Sequence, residues 1–243
     1  MLKVQGLSAE YQDRTGLNSV SFNVEFGELV GVIGPNGAGK STMFKAILGL
    51  LPSKGQVNYC DCPLHRQLKK VAYVPQRSQI DWDYPITVSS VVMMARTMHL
   101  GWLHNPTIND HDIVRDALER VEIVSLKDKR IGELSGGQQQ RVFLARALAQ
   151  HAEIFILDEP LTGVDSKTET IILNIFDQLK KSGKILLISS HNWRENIEHF
   201  DRLLLLNNHL IADGKPQQVI TNDNLKLAYG SLLSPILCEK GDN

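Results

Sequence analysis

The sequence is poor in cysteine and in long apolar runs. Its three cysteines, Cys60, Cys62 and Cys238, are too few for a disulfide framework, which favours a reducing compartment. No apolar run approaches the roughly 18 residues that a membrane-spanning helix needs, and the first residues lack the apolar core of a signal peptide. We therefore expect a water-soluble chain that does not itself cross a membrane.

The sequence also lacks an excess of charge of either sign. Lysine and arginine number 26 against 27 aspartates and glutamates, which gives a formal net charge of −1. This balance provides no basic footprint for nucleic acid, so we expect no nucleic-acid partner. With 42% hydrophobic and 22% charged residues, a chain of 243 residues suits one sizeable globular domain.

The order of the apolar segments predicts an α/β fold. Short alternating runs near residues 2–5 and 19–26 suit antiparallel strands in the N-terminal part. Later runs are continuously apolar, and helical patterns separate several of them, which favours a largely parallel sheet covered on both faces. These candidate buried strands are residues 28–34, 71–75, 153–157, 184–189 and 202–206.

The segment from about Arg77 to Ala147 differs from the rest of the chain. It contains no convincing strand, whereas TVSSVVMMARTMHL and DIVRDALERVEIV have helical patterns. We interpret this segment, about 77–147, as a helical subdomain inserted into the α/β core of a single domain that covers residues 1–243.

A glycine-rich segment after the first buried strand matches the phosphate-loop pattern G-x-x-x-x-G-K-S, and an amphipathic helix follows it. Backbone N–H groups of such a loop curl around a β-phosphate, and its lysine reaches the β- and γ-oxygens while its serine offers a hydroxyl to Mg²⁺. The sequence therefore predicts binding of ATP and Mg²⁺. The loop residues are Gly34, Pro35, Asn36, Gly37, Ala38, Gly39, Lys40, Ser41 and Thr42.

Two adjacent carboxylates, Asp158 and Glu159, end the strand candidate at 153–157, where ligands collect in parallel sheets. Because neighbouring strand residues point in opposite directions, the two should have different roles. We assign Asp158 to the Mg²⁺ site and Glu159 to the general base that activates the attacking water. Alone, the pair would be an ordinary acidic strand end.

Three further residues fit the same site. His191 follows an apolar strand and could hydrogen-bond the γ-phosphate, although a loop histidine is also common at a surface. Gln76 ends the strand at 71–75 and could meet the Mg²⁺ or the water, as a sensor of the γ-phosphate; a polar strand-end residue is the alternative. Tyr11 could stack on adenine, or pack in the core or on the surface.

A second polar glycine loop, Ser135, Gly136, Gly137 and Gln138, runs directly into a helical pattern. Exposed amides at a helix start form a site for anions, and for phosphate above all. The sequence thus contains two phosphate-binding loops.

Together these motifs resemble one family, the ATP-binding cassette (ABC) ATPases. GPNGAGKST, PQ, LSGGQ, ILDEP and SH occur here in that family's order and span essentially the whole chain. The resemblance implies a RecA-like P-loop core and a head-to-tail homodimer, in which Ser135, Gly136, Gly137 and Gln138 act on the ATP of the other protomer. It places Asp165 in a loop that crosses the dimer interface. Asn192 departs from the aspartate that usually follows the histidine.

A narrower resemblance lies in residues 76–102. This stretch is similar to the helical subdomain of importer ATPases for manganese, zinc or chelated iron, which typically read D-W-x-F-P-x-T-V and then V-x-M-G-R. This chain departs from that pattern at two positions: Tyr84 replaces the phenylalanine, and Ala95 replaces the glycine. The function-neutral alternative is that Trp82, Tyr84 and Pro85 are loop packing residues.

The resemblance implies a transporter's ATPase subunit at the cytoplasmic face of the cell membrane, as a peripheral protein. Its partners would be a second copy, an integral-membrane permease and, indirectly, an extracytoplasmic solute-binding protein. The alternatives are an ABC ATPase for export or for a non-metal solute, and an ABC ATPase outside transport. Cys60, Cys62 and His65 lack the spacing of a four-ligand zinc site, and we expect a structural turn there.

Overall fold

The computed structural model describes residues 1–11, 14–100, 105–190 and 197–230. The strands are β1 (Leu2–Tyr11), β2 (Arg14–Val24), β3 (Leu29–Ile33), β4 (Ser53–Tyr59), β5 (Cys62–Pro63), β6 (Val71–Val74), β7 (Ile154–Asp158), β8 (Ile185–Ser190), β9 (Arg202–Asn207) and β10 (His209–Gly214). The helices are α1 (Lys40–Ile47), α2 (Val88–Met93), α3 (Thr97–Leu100), α4 (Ile108–Arg120), α5 (Gly136–Ala149), α6 (Ser166–Lys181), α7 (Pro216–Val219) and α8 (Asn222–Tyr229). As expected, an antiparallel N-terminal sheet accompanies an α/β part with parallel strands.

The chain forms two compact units. The first contains residues Met1–Gln67 and Leu187–Asn243, and the second contains Leu68–Leu186. Within the described residues, no helix combines the length and the apolar character that crossing a bilayer requires.

The antiparallel sheet of the first unit is built on β1, which pairs with β2 on one side and β4 on the other. Leu2 and Val4 are buried while Lys3 and Gln5 are exposed, the two-residue period of a strand with one covered face. β4 and β5 form a hairpin, and both residues of its turn, Cys60 and Asp61, have positive φ angles of 48° and 60°. The expected turn is therefore present, since two-residue hairpin loops favour positive φ.

The first unit also contains parallel strands. β3 pairs in parallel with β9, and β9 pairs with β10 in antiparallel orientation. All five residues of β3 are buried, in agreement with a continuously apolar strand that is covered on both faces. The carboxyl end of β3 leads directly into the phosphate loop.

The second unit combines parallel strands with helices. β6 and β7 pair in parallel, with Tyr73 opposite Ile156, and every residue of β7 is buried. Residues 77–100 and 105–147 contain helices and 3-10 turns, and the single strand-like feature among them is a bridge between Thr87 and Arg130. The segment predicted to be helical is therefore helical in its described part.

A buried ion pair joins the helices of this segment. Arg96 Nε lies 2.9 Å from Asp110 Oδ1, and Arg96 Nη1 donates to the carbonyl oxygen of Ala149 at 2.9 Å. Asp110 also belongs to the capping box of α4, in which its carboxylate accepts hydrogen bonds from Thr107. Hydrogen bonds from Thr107 and then from Arg96 lower the pKa of Asp110 to about 2. Arg96, in the 3-10 turn that follows α2, thus binds both the first turn of α4 and the last residue of α5.

Candidate functional site

The phosphate loop connects β3 to α1 in a conformation that requires glycine. At Gly34, a Cβ atom would overlap the carbonyl oxygen of Leu206 in β9, and the φ angle is +154°. At Gly39, which precedes α1, a Cβ atom would overlap the carbonyl oxygen of Gly16, and the φ angle is +92°. The loop can therefore follow this path against its neighbours only because both positions lack a side chain.

Lys40 is buried and folds back over the loop. Its Nζ donates to the carbonyl oxygens of Gly34 at 2.8 Å and Pro35 at 3.0 Å. The ammonium is thereby held at the loop, where a phosphate would meet it as a point charge.

The start of α1 adds further donors. Its N-cap is Gly39, which offers no side chain to accept from the first-turn N–H groups. The first backbone N–H groups of a helix have no acceptor within the helix, and the positive end of the helix dipole favours an anion. Ser41 and Thr42 lie in this turn, so the turn also carries two hydroxyl side chains.

Asp158 is the last residue of β7 and is 1% exposed. It lies on the same face of the β6–β7 pair as Tyr73, because Tyr73 is opposite Ile156 and side chains two apart share a face. Burial, and then the charge of Asp158, raise the pKa of Tyr73. The Tyr73 hydroxyl is buried and makes no hydrogen bond to any described residue.

Glu159 leaves the strand in a different direction. Its φ angle is +53°, a left-handed conformation that is uncommon for a residue with a side chain. Gln76 Nε2 donates to Glu159 Oε2 at 2.9 Å, and Thr162 Oγ1 donates to the same oxygen at 3.5 Å. The structure thus brings together two predicted catalytic residues that are far apart in the sequence, and it places their polar ends in contact.

The second glycine loop begins α5. Ser135 is its N-cap and forms a capping box with Gln138: the Gln138 backbone N–H donates to Ser135 Oγ at 3.3 Å, and the Ser135 N–H donates to Gln138 Oε1 at 3.0 Å. Ser135 is exposed and Gly137 is buried. The side chain of each residue therefore accepts from the backbone N–H of the other. Gly136 and Gly137 supply two more backbone N–H groups to the first turn of α5.

Asp165 lies close to this loop within the second unit. It caps α6, with Oδ1 accepting from the Thr168 backbone N–H at 2.9 Å and Oδ2 accepting from Thr168 Oγ1 at 3.0 Å. These bonds from Thr168 lower the pKa of Asp165. A Cβ atom on Gly137 would lie 2.9 Å from Asp165 Oδ2, so the two predicted dimer-related residues are packed together.

Two predicted residues cannot be placed. His191 lies outside the described residues. Tyr11 ends β1, and its side chain is outside what the structure describes.

The structure adds contacts that the sequence did not predict. Arg77, directly after Gln76, donates to Gln139 Oε1 from Nε at 3.1 Å and from Nη2 at 2.8 Å. Trp82 Nε1 donates to the Arg77 carbonyl oxygen at 3.0 Å, and the Trp82 ring meets Phe143 edge to face at 5.3 Å between centroids. The position of Arg77 next to Gln76 was the one sequence signal for a role at this site. Sequence spacing alone does not show that its side chain reaches Gln139 of α5.

Comparisons with known proteins agree with this geometry. The family model described as ABC transporter matches residues 17–162. The manganese transport system ATP-binding protein MntB of Listeria monocytogenes is 43% identical over 230 residues, which cover 94% of this chain and 96% of the relative. The zinc transport system ATP-binding protein TroB of Treponema pallidum is 43% identical over 242 residues, which cover 99% of this chain and 91% of the relative.

A third relative and a solved structure extend the comparison. The chelated iron transport system membrane protein YfeB of Yersinia pestis is 41% identical over 97% of this chain and 81% of its own length. The ATP-binding cassette MJ0796, solved as a dimer bound to ADP and Pi, superposes with a TM-score of 0.78 at 25% identity over 89% of this chain and 99% of its own. From the motifs, the fold and these matches, we conclude that the chain belongs to the ABC transporter family.

Proposed function

We propose that this chain is the ATP-binding and ATP-hydrolysing subunit of an importer for a divalent transition metal, with manganese first and iron or zinc next. The observation that carries the ATPase assignment is the 2.9 Å hydrogen bond between Gln76 and Glu159, which joins the γ-phosphate sensor to the general base. The metal assignment is supported by relatives named for manganese, zinc and chelated iron transport.

In the proposed reaction, the phosphate loop and Lys40 hold the phosphates of ATP, and Tyr11 stacks on the adenine. Glu159 takes the proton of the attacking water, while Gln76 and His191 hold that water in line with the γ-phosphate. The left-handed backbone at Glu159 supports separate roles for Glu159 as base and Asp158 as Mg²⁺ ligand, because it directs the two side chains differently.

We propose three residues as ligands of Mg²⁺ on the basis of their chemistry. Ser41, Asp158 and Gln76 offer a hydroxyl, a carboxylate and an amide oxygen, the hard oxygen ligands that this ion prefers. Asp158 is a buried carboxylate at a strand end, a position that favours a cation as its neighbour. When bound, Mg²⁺ would neutralise charge on the β- and γ-oxygens.

We further infer that the protein acts as a homodimer with shared sites. Ser135, Gly136, Gly137 and Gln138 would close over the ATP held by Lys40 of the other protomer, and Asp165 would lie at the interface. The exposure of Ser135 and the first-turn amides of α5 support this role. The dimeric structure of MJ0796 with ADP and Pi is a precedent within the fold.

The membrane partner would be a separate permease, so that the chain works as a peripheral protein at the cytoplasmic face, with an extracytoplasmic solute-binding protein upstream. The helical segment exposes large apolar side chains that a partner helix could cover: Tyr84 is 61% exposed, Met94 52% and Met98 41%. Cargo would act on the ATPase by biasing dimer closure.

The test is radiotracer uptake in cells that lack this chain, with manganese, iron, zinc, a sugar and an amino acid compared in parallel. We expect loss of high-affinity uptake of one divalent metal, restored by the wild-type chain and not by Lys40→Ala. A defect confined to an organic solute would refute metal import and leave the ATPase assignment standing.

A further inference from the structure

Arg77 holds an unusual position, between the proposed γ-phosphate sensor and the second glycine loop. It follows Gln76, whose amide contacts Glu159, and its own guanidinium binds the side chain of Gln139 with two donors. Gln139 is buried, and the nitrogen of the same carboxamide group is also bound: Gln139 Nε2 donates to the Ile131 carbonyl oxygen at 3.1 Å. Arg77 therefore bonds to a side chain that cannot move freely.

The contact of Arg77 with Gly136 shows how closely it approaches the loop. A Cβ atom on Gly136 would lie 3.1 Å from Arg77 Cζ and 3.2 Å from Nη1. A side chain at position 136 would therefore press on the guanidinium and require it to shift by a few tenths of an ångström. The absence of a side chain at Gly136 allows Arg77 to lie this close to the loop.

Trp82 fixes the same arginine from a second side. The Arg77 guanidinium lies 5.7 Å from the centroid of the Trp82 ring, within the range of a cation–π contact. Trp82 Nε1 binds the Arg77 carbonyl oxygen, and the ring itself packs on Phe143 of α5. The backbone of Arg77 is thus bound to Trp82, which packs on α5, and its side chain is bound to Gln139 of α5.

A surface salt bridge does not explain this arrangement. Arg77 is exposed, and no carboxylate in the described part of the chain lies within ion-pair distance of it. Its neighbours are the amide oxygen of Gln139 and Gly136, both in the first turn of α5, and the ring of Trp82.

We propose that Arg77 is a positioning residue for ATP hydrolysis, which ties the segment after Gln76 to the first turn of α5 and so sets the Ser135–Gln138 loop relative to the γ-phosphate sensor. The inference rests on the proposed ATPase function. Without this tie, Gln76 would still reach Glu159, but the loop that serves the partner's ATP would be displaced.

The experiment compares purified wild-type protein with Arg77→Met, Arg77→Lys, Gln139→Met and the Arg77→Met/Gln139→Met double variant. A displaced loop should lower kcat by about tenfold to a hundredfold, as misplacements of about an ångström do, while ATP affinity of the monomer stays within about twofold because Lys40 is untouched. Arg77→Lys should recover little, since a lysine cannot give two donors to one oxygen while lying on Trp82.

Two readouts separate positioning from general damage. The double variant should be no slower than the worse single variant, because both changes remove the same bond. Amide hydrogen exchange should accelerate at residues 136–139 and stay unchanged in α1. Arg120→Met is the matched control: Arg120 Nη2 also donates to a glutamine, Gln178 Oε1 at 3.3 Å, and its loss should leave kcat unchanged.

Three outcomes would each overturn the proposal. They are a wild-type kcat in Arg77→Met, additive losses of kcat in the double variant, and an equal loss of kcat in Arg120→Met. A wild-type protein without ATPase activity would instead refute the proposed function. Hydrogen exchange at residues 136–139 would then still decide whether Arg77 holds the loop.

Discussion

At the scale of single residues, Glu159 is the proposed general base, so we expect hydrolysis to depend on its carboxylate. Glu159→Gln keeps the shape of the side chain and leaves an oxygen to accept the hydrogen bond from Gln76. It removes the base, so we expect kcat to fall by a factor on the order of 10²–10⁴ while ATP binding persists. Steady-state turnover together with a direct binding titration measures both. Near-normal turnover would contradict the assignment of Glu159 as the base.

Tyr73 offers a stability test beside the proposed Mg²⁺ ligand Asp158. Its hydroxyl is buried without a hydrogen bond to any residue of the described ranges, and an unsatisfied buried polar group is costly. Tyr73→Phe should therefore raise the free energy of unfolding by about 1 kcal/mol. Urea unfolding measures the change, with Tyr84→Phe as the control because Tyr84 is 61% exposed. A destabilised Tyr73→Phe would mean that the hydroxyl has a stabilising partner.

At the scale of elements, the Arg96–Asp110 pair makes the helical segment sensitive to acid. The pKa of Asp110 is lowered to about 2 in the folded chain, against about 3.9 for an unfolded aspartate. A lowered carboxyl pKa contributes stability above the unfolded value, and this contribution is lost as pH falls through the folded value. Wild type should thus exceed Asp110→Asn in stability at neutral pH, and the difference should shrink from about pH 4 to pH 2.

Chemical unfolding at several pH values checks this window. Asp112→Asn is the matched control, since Asp112 lies in the same helix and its contact with Arg115 is exposed. A constant difference between wild type and Asp110→Asn down to pH 2 would show that the carboxylate charge of Asp110 does not stabilise the fold.

The elements also show what the sequence could and could not predict. The buried strands β3 and β7 and the helical segment follow from apolar runs and a 3.6-residue period, which are local properties. The sequence indicated β1 only for residues 2–5 and did not indicate β10. Residues 6–10 (GLSAE) and β10 (HLIADG) contain few β-branched or aromatic residues, so the strand signal of both stretches is weak. Their pairing with β2, β4 and β9 depends on contacts distant in sequence.

The site divides in the same way. The positions of the phosphate loop, Asp158 and Glu159 at strand ends could be predicted, because these residues belong to contiguous motifs next to apolar runs. The Gln76–Glu159 bond and the Arg77–Gln139 bond could not, since they join residues that only folding brings together. For Trp82, the structure agrees with the alternative of a loop packing residue, because its ring packs on Phe143 and its indole N–H donates to the Arg77 carbonyl oxygen.

At the scale of the whole molecule, the proposal that each ATP site needs two protomers gives the last prediction. Lys40→Ala removes the cation of the phosphate loop, and Ser135→Arg blocks the exposed N-cap of α5 that would face the partner's ATP. Each variant alone should be nearly inactive as a homodimer, because both of its sites carry the defect. Ser135→Arg should still bind ATP as a monomer, since its phosphate loop is intact.

An equimolar mixture should regain activity, because each heterodimer carries both defects in one site and keeps both intact loops in the other. With random pairing, half of the dimers are mixed and each has one working site, so the rate should approach about a quarter of wild type. ATPase rates of the two variants, separately and mixed, measure this at a protein concentration that gives dimers. A mixture no faster than its components would contradict independent shared sites, and a strict monomer that hydrolyses ATP at the full rate would contradict sharing altogether.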